Sequence, residues 1–159
     1  MFLSSYESGV DAKKRVSIPA PFRKVLSGEE RVFLWPAVDK SCLEGGGEAL
    51  VRKFQRAISR LRPMDPRREA LATNIFGAGR HCKLDEGGRI VLEGDLLGHA
   101  GIRDKVRFVG LGDRFQIWER EAFREHRAAQ RPLAREGLIA LRAQQRTAAL
   151  TAGFRPGGG

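Results

Sequence analysis

Asp11-Ala-Lys-Lys-Arg15-Val-Ser-Ile-Pro-Ala-Pro-Phe-Arg23 decides the reading of this chain, because Asp85-Glu-Gly-Gly-Arg89-Ile-Val-Leu92 repeats its pattern later on. Asp11 and Asp85 lie 74 residues apart, and the same offset joins Phe2 to Phe76, Arg15 to Arg89, Val32 to Val106 and Asp39 to Asp113 without a gap. Apolar positions keep phase as well: Val10 matches Leu84, Val16 matches Ile90, Ile18 matches Leu92, Phe22 matches Leu96, and Leu43 matches Ile117. Self-similarity at a fixed offset marks a duplicated structural unit, here residues 2–44 and 76–118.

Within each copy the patterning alternates between elements. Val16-Ser17-Ile18 reads as a half-buried strand, stopped by Pro19 and Pro21. Phe22 to Leu26 suits one helical turn, Ser27-Gly28 punctuates it, and Val32 to Leu34 reads as a further strand. The second copy repeats this with a strand around Ile90 to Leu92, a turn near Leu96 and a strand over Val106 to Val109. Gly45 to Gly47 break the first copy's last strand and form a flexible connection. Leu50, Phe54, Ile58 and Leu61 then recur at helical spacing, with Arg52, Lys53, Arg56 and Arg60 on the other face. Pro63 and Pro66 end that helix, and a shorter one covers Arg67 to Thr73. After the second copy, Trp118, Ala122 and Phe123 open a helix that stops before Pro132, and another follows from Leu133 to Leu150.

Composition narrows the class. The chain has 159 residues, 42% hydrophobic and 30% charged, which suits a globular protein and not a disordered one. No apolar run reaches the roughly 18 residues that a membrane span needs, and no secretory leader is visible, so a cytoplasmic protein is expected. Cys42 and Cys82 are the only cysteines and lack metal or redox spacing, which reads as packed, reduced thiols. A net charge of +10 favours a polyanionic partner. That charge is unevenly spread. Residues 1–44 and 76–118 each hold seven basic and six acidic groups, whereas residues 45–75 hold seven and three, and residues 119–159 hold eight and four.

The two motif runs, with the opening Met1 to Tyr6, resemble the MraZ family over nearly the whole ordered chain. The resemblance implies an α+β fold of two tandem SpoVT-AbrB-like, β-rich units that exchange pairing partners in one pseudo-symmetric core, with peripheral helices. The first unit with its helix is expected over 1–62, a connecting segment over 63–75, and the second unit with its helix over 76–131. A C-terminal helix over 132–152 and a disordered tail over 153–159 complete the layout. The resemblance also implies a homo-oligomeric ring and a nucleoid-associated, sequence-specific repressor of the division and cell-wall gene cluster that binds closely spaced promoter repeats. Two departures stand out. Lys14 occupies a position where the family usually has glycine, and Glu93-Gly94-Asp95 replaces the Pro19-Ala20-Pro21 of the first copy.

The motif carries its own chemistry. Arginine presents a planar fork that matches guanine O6 and N7, while lysine is a mobile point charge suited to phosphate. Arg15 and Arg89 are therefore candidate base readers of double-stranded DNA, Lys13, Lys14 and Arg23 candidate phosphate contacts, and Asp11 and Asp85 loop-orienting acceptors. Asp and Arg four residues apart also suit a plainer role, bonding to each other to brace a turn, and the two roles can coexist. The stronger expectation falls on the first copy, because Glu86, Glu93 and Asp95 make the second more acidic.

Catalysis finds no support. His81, His99 and His126 stand at no metal-ligand spacing, and there is no phosphate loop, nucleophile elbow or zinc-protease motif. Neither an enzyme nor a cofactor, a metal, a membrane or a small-molecule substrate is expected. The alternative is a non-specific nucleoid or RNA-binding module working through the basic helix that carries Arg52, Arg56 and Arg60.

Overall fold

The computed structural model describes residues 1–153. In chain order the elements are β1 (Ser5–Gly9), β2 (Arg15–Ser17), α1 (Ala20–Val25), β3 (Arg31–Pro36), β4 (Leu43–Gly46), α2 (Glu48–Ile58) and α3 (Pro66–Ala72). A π-helical turn (Thr73–Gly77) leads to β5 (Arg80–Lys83), β6 (Arg89–Val91), α4 (Gly94–Ala100), β7 (Lys105–Gly110), β8 (Phe115–Glu119) and α5 (Arg120–Gly153). The fold is α+β, and every strand pair is antiparallel.

Pairing at the centre of the fold follows the duplication. The large sheet runs β1-β7-β8-β4-β3-β5, and β2 and β6 form a separate two-stranded ribbon. Val16 faces Ile90 in the ribbon, and Leu43 faces Ile117 in the sheet. Each of these residues therefore pairs with its own counterpart at the 74-residue offset, which puts both pairs on a pseudo-two-fold axis. Away from the axis the copies exchange partners: β1 of the first pairs with β7 of the second, and β5 of the second pairs with β3 of the first. Neither copy holds a complete sheet alone, so one compact unit spans Met1–Phe123.

The alternating strands bury two sets of side chains. Val16, Ile18, Ile90 and Leu92 turn one ribbon face onto Val32, Leu34, Leu43, Phe108, Phe115 and Ile117 of the sheet. Phe22 of α1 is fully buried there, with Phe2, Tyr6, Phe108 and Phe115 ringed around it at centroid distances of 5.3 to 6.3 Å. Residues of opposite parity, Phe33 and Trp35, pack with Leu50 and Ile58 of α2 and Ile75 of the π-turn. Beside them sit Glu44 and Gln116, both buried: Gln116 Nε2 donates to Glu44 Oε2 at 3.1 Å, and Trp118 Nε1 donates to Gln116 Oε1 at 2.8 Å.

Several expectations change. Gly45 and Gly46 do not break the first copy's last strand. They form its second half, in the sheet interior between β3 and β8. A Cβ on Gly45 would lie 2.3 Å from Leu34 Cδ2 and 2.8 Å from the Phe33 carbonyl oxygen, so glycine there permits close packing and not flexibility. Trp118 belongs to β8, buried with Ala37 and Cys42, and the helix opens only at Arg120. That helix is not divided at Pro132. It runs through the proline to Gly153: the lost N–H bond and the ring's clash with the preceding turn cost about 3 kcal/mol, and the flanking alanine, glutamine, leucine and arginine are strong helix formers. Gly153 is thus helical, and the rest of the expected tail, 154–159, lies outside the described residues. The ungapped offset also hides a slip. Pro36 and Leu43 close a longer loop than Gly110 and Phe115, so Leu34 faces Gly45 where Phe108 faces Ile117. A two-residue slip keeps every side chain on its original face.

Candidate functional site

The ribbon's outward face is built by parity. Val16 and Ile90 are buried, so their neighbours Arg15, Ser17, Arg89 and Val91 all turn the other way. Register sets Arg15 opposite Val91 and Ser17 opposite Arg89. The two arginines therefore share one face, offset by about 7 Å along the ribbon. Ile18 N donates to the Gly88 carbonyl at 3.0 Å and Leu92 N to the Lys14 carbonyl at 2.8 Å, extending the pairing symmetrically at both ends.

Each arginine leaves a loop of the same construction. Asp11 Oδ1 accepts from the backbone N–H of Lys13 and of Arg15, both at 2.9 Å, and Oδ2 accepts from Arg15 Nε at 2.8 Å. In the second loop Asp85 Oδ1 accepts from Gly87 N and Arg89 N, both at 2.9 Å, and Oδ2 from Arg89 Nε at 3.0 Å. Backbone bonds from Lys14 N to Asp11 O and from Gly88 N to Asp85 O, each 3.0 Å, close the two turns. Both carboxyls are held below their usual 3.8, chiefly by the backbone N–H of Arg15 and of Arg89 respectively. The aspartate braces the turn and at the same time fixes the guanidinium by its Nε edge. Among the described residues the Nη atoms of Arg15 and Arg89 make no hydrogen bond, so the end of each fork remains available.

The fourth loop position needs a left-handed backbone, with Lys14 at φ 62° and Gly88 at φ 75°. Lysine has not altered the loop; it adopts the conformation that glycine takes in the other copy. Lys13 and Lys14 are both exposed. Arg23, a candidate phosphate contact, lies at the second loop. Its Nη1 is 3.5 Å from the Gly87 carbonyl, and its Cδ would meet a Cβ on Gly88 at 2.3 Å.

The surroundings of the loops differ in ways that local motif reading missed. Val10 N donates to the Asp104 carbonyl and Leu84 N to the Glu30 carbonyl, which sets Arg103 to Lys105 at the base of the first loop and Glu29 to Arg31 at the base of the second. The 74-residue offset relates these two contacts to each other but signals neither, since each joins non-equivalent residues. Glu93 and Asp95 do not form an open acidic patch: Arg80 binds them through Nη1 at 2.9 Å and Nη2 at 3.0 Å. His81 and Cys82 point to opposite sides of β5, the ring against Phe33 at 5.2 Å and the thiol into the core. Among the described residues no group of three or more His, Cys, Asp or Glu is placed to hold a metal ion, and no helix is long and apolar enough to cross a membrane.

Comparison with known proteins adds an independent line. A family profile described as "MraZ protein, putative antitoxin-like" matches residues 75–137. The chain is 50% identical over 151 residues to the transcriptional regulator MraZ of Phenylobacterium zucineum, covering 94% of each chain. It is 47% identical over 154 residues to the transcriptional regulator MraZ of Caulobacter vibrioides, covering 96% of this chain and 99% of that one. The protein of the same name from Hyphomonas neptunium is 44% identical over 134 residues, covering 84% of this chain and 81% of the relative.

Proposed function

The chain belongs to the MraZ family, whose members matched here are transcriptional regulators and not enzymes, and from that premise we propose that it regulates transcription by binding specific sites in double-stranded DNA through the β2/β6 ribbon. The observation that carries this reading is the pair of arginines on one outward ribbon face, each clamped at Nε by an aspartate with its Nη atoms open. A two-stranded ribbon fits the major groove, and an arginine fork presented end-on matches guanine O6 and N7. Preorganisation by Asp11 and Asp85 lowers the entropy lost when Arg15 and Arg89 engage a base. Lys13 and Lys14 serve as phosphate contacts at the first loop and Arg23 at the second.

Magnitudes decide how many chains are needed. One good bidentate contact supplies about 1 to 3 kcal/mol of discrimination. Two per chain reach about 2 to 6 kcal/mol, whereas specific sites usually exceed non-specific DNA by about 4 to 10 kcal/mol. Two or more chains acting together close that difference, which favours a homo-oligomer, in this reading a ring, spanning closely spaced repeats about one helical turn apart. Occupying such a promoter represses it. The family resemblance directs the reading to the division and cell-wall gene cluster.

A gel shift tests it, using the DNA upstream of the chain's own gene and a scrambled duplex. Wild type is expected to prefer the upstream DNA, and Arg15→Ala and Arg89→Ala each to lose roughly 5- to 150-fold of that preference per engaged chain. If the variants discriminate between the two duplexes as well as the wild type does, base reading by these arginines is wrong.

A further inference from the structure

From Arg124 onward, α5 carries Arg124, Arg127, Arg131, Arg135, Arg142 and Arg146 as its basic residues up to Gly153. At about 100° of rotation per residue all six fall within an arc of about 100°. Glu125 and Glu136, the acidic residues of the same stretch, lie about 60° and 80° beyond the edge of that arc. The arginines therefore form a single stripe along one side of the helix, unmixed with acids.

An ordinary solvated helix face interleaves the two signs at spacings of three and four, where opposite charges stabilise and like charges repel. Here Arg127 and Arg131, Arg131 and Arg135, and Arg142 and Arg146 are all like-charged pairs four apart. Arg127, Arg131, Arg135, Arg142 and Arg146 are exposed and have no ion pair or hydrogen bond among the described residues. No acidic side chain offsets these pairs within the described chain, and an external anion would do so.

The shape of the stripe points to the class of anion. From Arg124 to Arg146 the helix rises about 33 Å, close to one turn of duplex DNA, along which a phosphate charge recurs about every 1.7 Å of axis. A partner helix fits less well. Leu133, Leu138, Ile139, Leu141 and Leu150 are exposed, but the same rotation spreads them around the whole circumference and leaves no apolar seam.

We propose that the arginine stripe of α5 is a second contact for duplex DNA, one that holds phosphates without reading bases. This rests on the reading of DNA as the partner, and it assigns affinity to the stripe and selectivity to the ribbon.

The test measures binding of the full chain to the upstream duplex and to the scrambled duplex across a salt series. Its variant carries Arg131→Gln, Arg135→Gln, Arg142→Gln and Arg146→Gln together. Each phosphate contact contributes about 0.9 to the slope of log K against log salt, so the slope should fall by about 3.6 per engaged chain on both duplexes, with their affinity ratio unchanged. Lysine at the same four positions should restore the slope, and unchanged far-ultraviolet circular dichroism shows that the helix survives. Arg15→Ala should do the reverse, collapsing the ratio with at most about one unit per engaged chain lost from the slope.

A glutamine variant with the wild-type slope on both duplexes overturns the proposal, and is also the outcome if the stripe serves RNA or an acidic protein. If the wild type shows a stripe-dependent slope but no preference between duplexes, base reading by the ribbon falls and the stripe stands. If the wild type binds neither duplex, both fall.

Discussion

Lys14 holds a left-handed backbone at φ 62° inside a loop proposed to meet DNA, so Lys14→Gly separates what the position does for folding from what it does for binding. An L side chain in this region costs about 1 to 2 kcal/mol, which glycine relieves. Glycine also frees the unfolded chain, returning about 0.4 to 1 kcal/mol of that gain. The net expectation is a stabilisation of about 0.5 to 1 kcal/mol, or roughly 1 to 4 °C in Tm for a chain of this size. Binding should move the other way. Loss of one phosphate contact lowers the salt slope by about 0.9 per chain and weakens upstream and scrambled DNA alike. Thermal melting and an anisotropy titration on the same preparation read both quantities. The converse change, Gly88→Lys, meets the same backbone strain and must displace the exposed Arg23 side chain, so it should destabilise by at least as much as Lys14→Gly gains. A Lys14→Gly protein that melts lower than wild type would refute the strain argument, and one that binds with unchanged salt slope would remove Lys14 from the phosphate contacts.

Two further outcomes follow from ionisation. Asp11 and Asp85 titrate lower in the folded chain than their usual 3.8, so their support of the loops is complete above that value and is lost as pH falls through the lowered folded values. The Nε–H resonances of Arg15 and Arg89 should hold position from pH 8 down to about 4 and move only below it; a loop transition centred above pH 5 contradicts the clamp. Burial pushes the Cys42 thiol up to about 12 and the Cys82 thiol up to about 11. Iodoacetamide at pH 8 should leave the native protein unlabelled and modify both thiols in denaturant, as read by intact mass, and rapid native labelling of either would show that its packing opens.

The axis of the fold was legible in the sequence because it depends on offsets between identical or equivalent residues. Aligning Asp11 with Asp85 also aligns Val16 with Ile90 and Leu43 with Ile117, the two pairs that meet across the pseudo-two-fold axis. What the offset could not convey is contact between non-equivalent residues. Gly45 looks like a breaker until Leu34 and the Phe33 carbonyl are seen against it, and Glu93 and Asp95 look like a repulsive patch until Arg80 lies between them. Pro132 misled for a different reason: a single proline is a strong local signal, yet its cost is bounded and helix formers on both sides can absorb it. The site was readable as a motif, but not which Nη atoms the aspartates would leave open, since that depends on the Asp–Arg geometry inside each loop.

The departures of Lys14 and Arg23 from strict repetition are one departure. Residue 97 is the pseudo-equivalent of residue 23, and residue 88 that of residue 14. In the second loop Arg23 crosses from the first copy to lie over Gly88, in the space that a Cβ there would enter, so glycine favours both this contact and the positive φ. Arg23's counterpart is Leu97, an aliphatic side chain packed against the core. Leucine brings no cation to the first loop, and there the fourth position supplies its own as Lys14. Each loop thus has one cation at its fourth position, from that position's own side chain in the first and from across the axis in the second. The sequence alone weighted DNA contact toward the first copy by counting charges along the chain. Counted in space, the second loop regains in Arg23 part of what Glu86 takes away, and Arg89→Ala becomes as informative a test as Arg15→Ala.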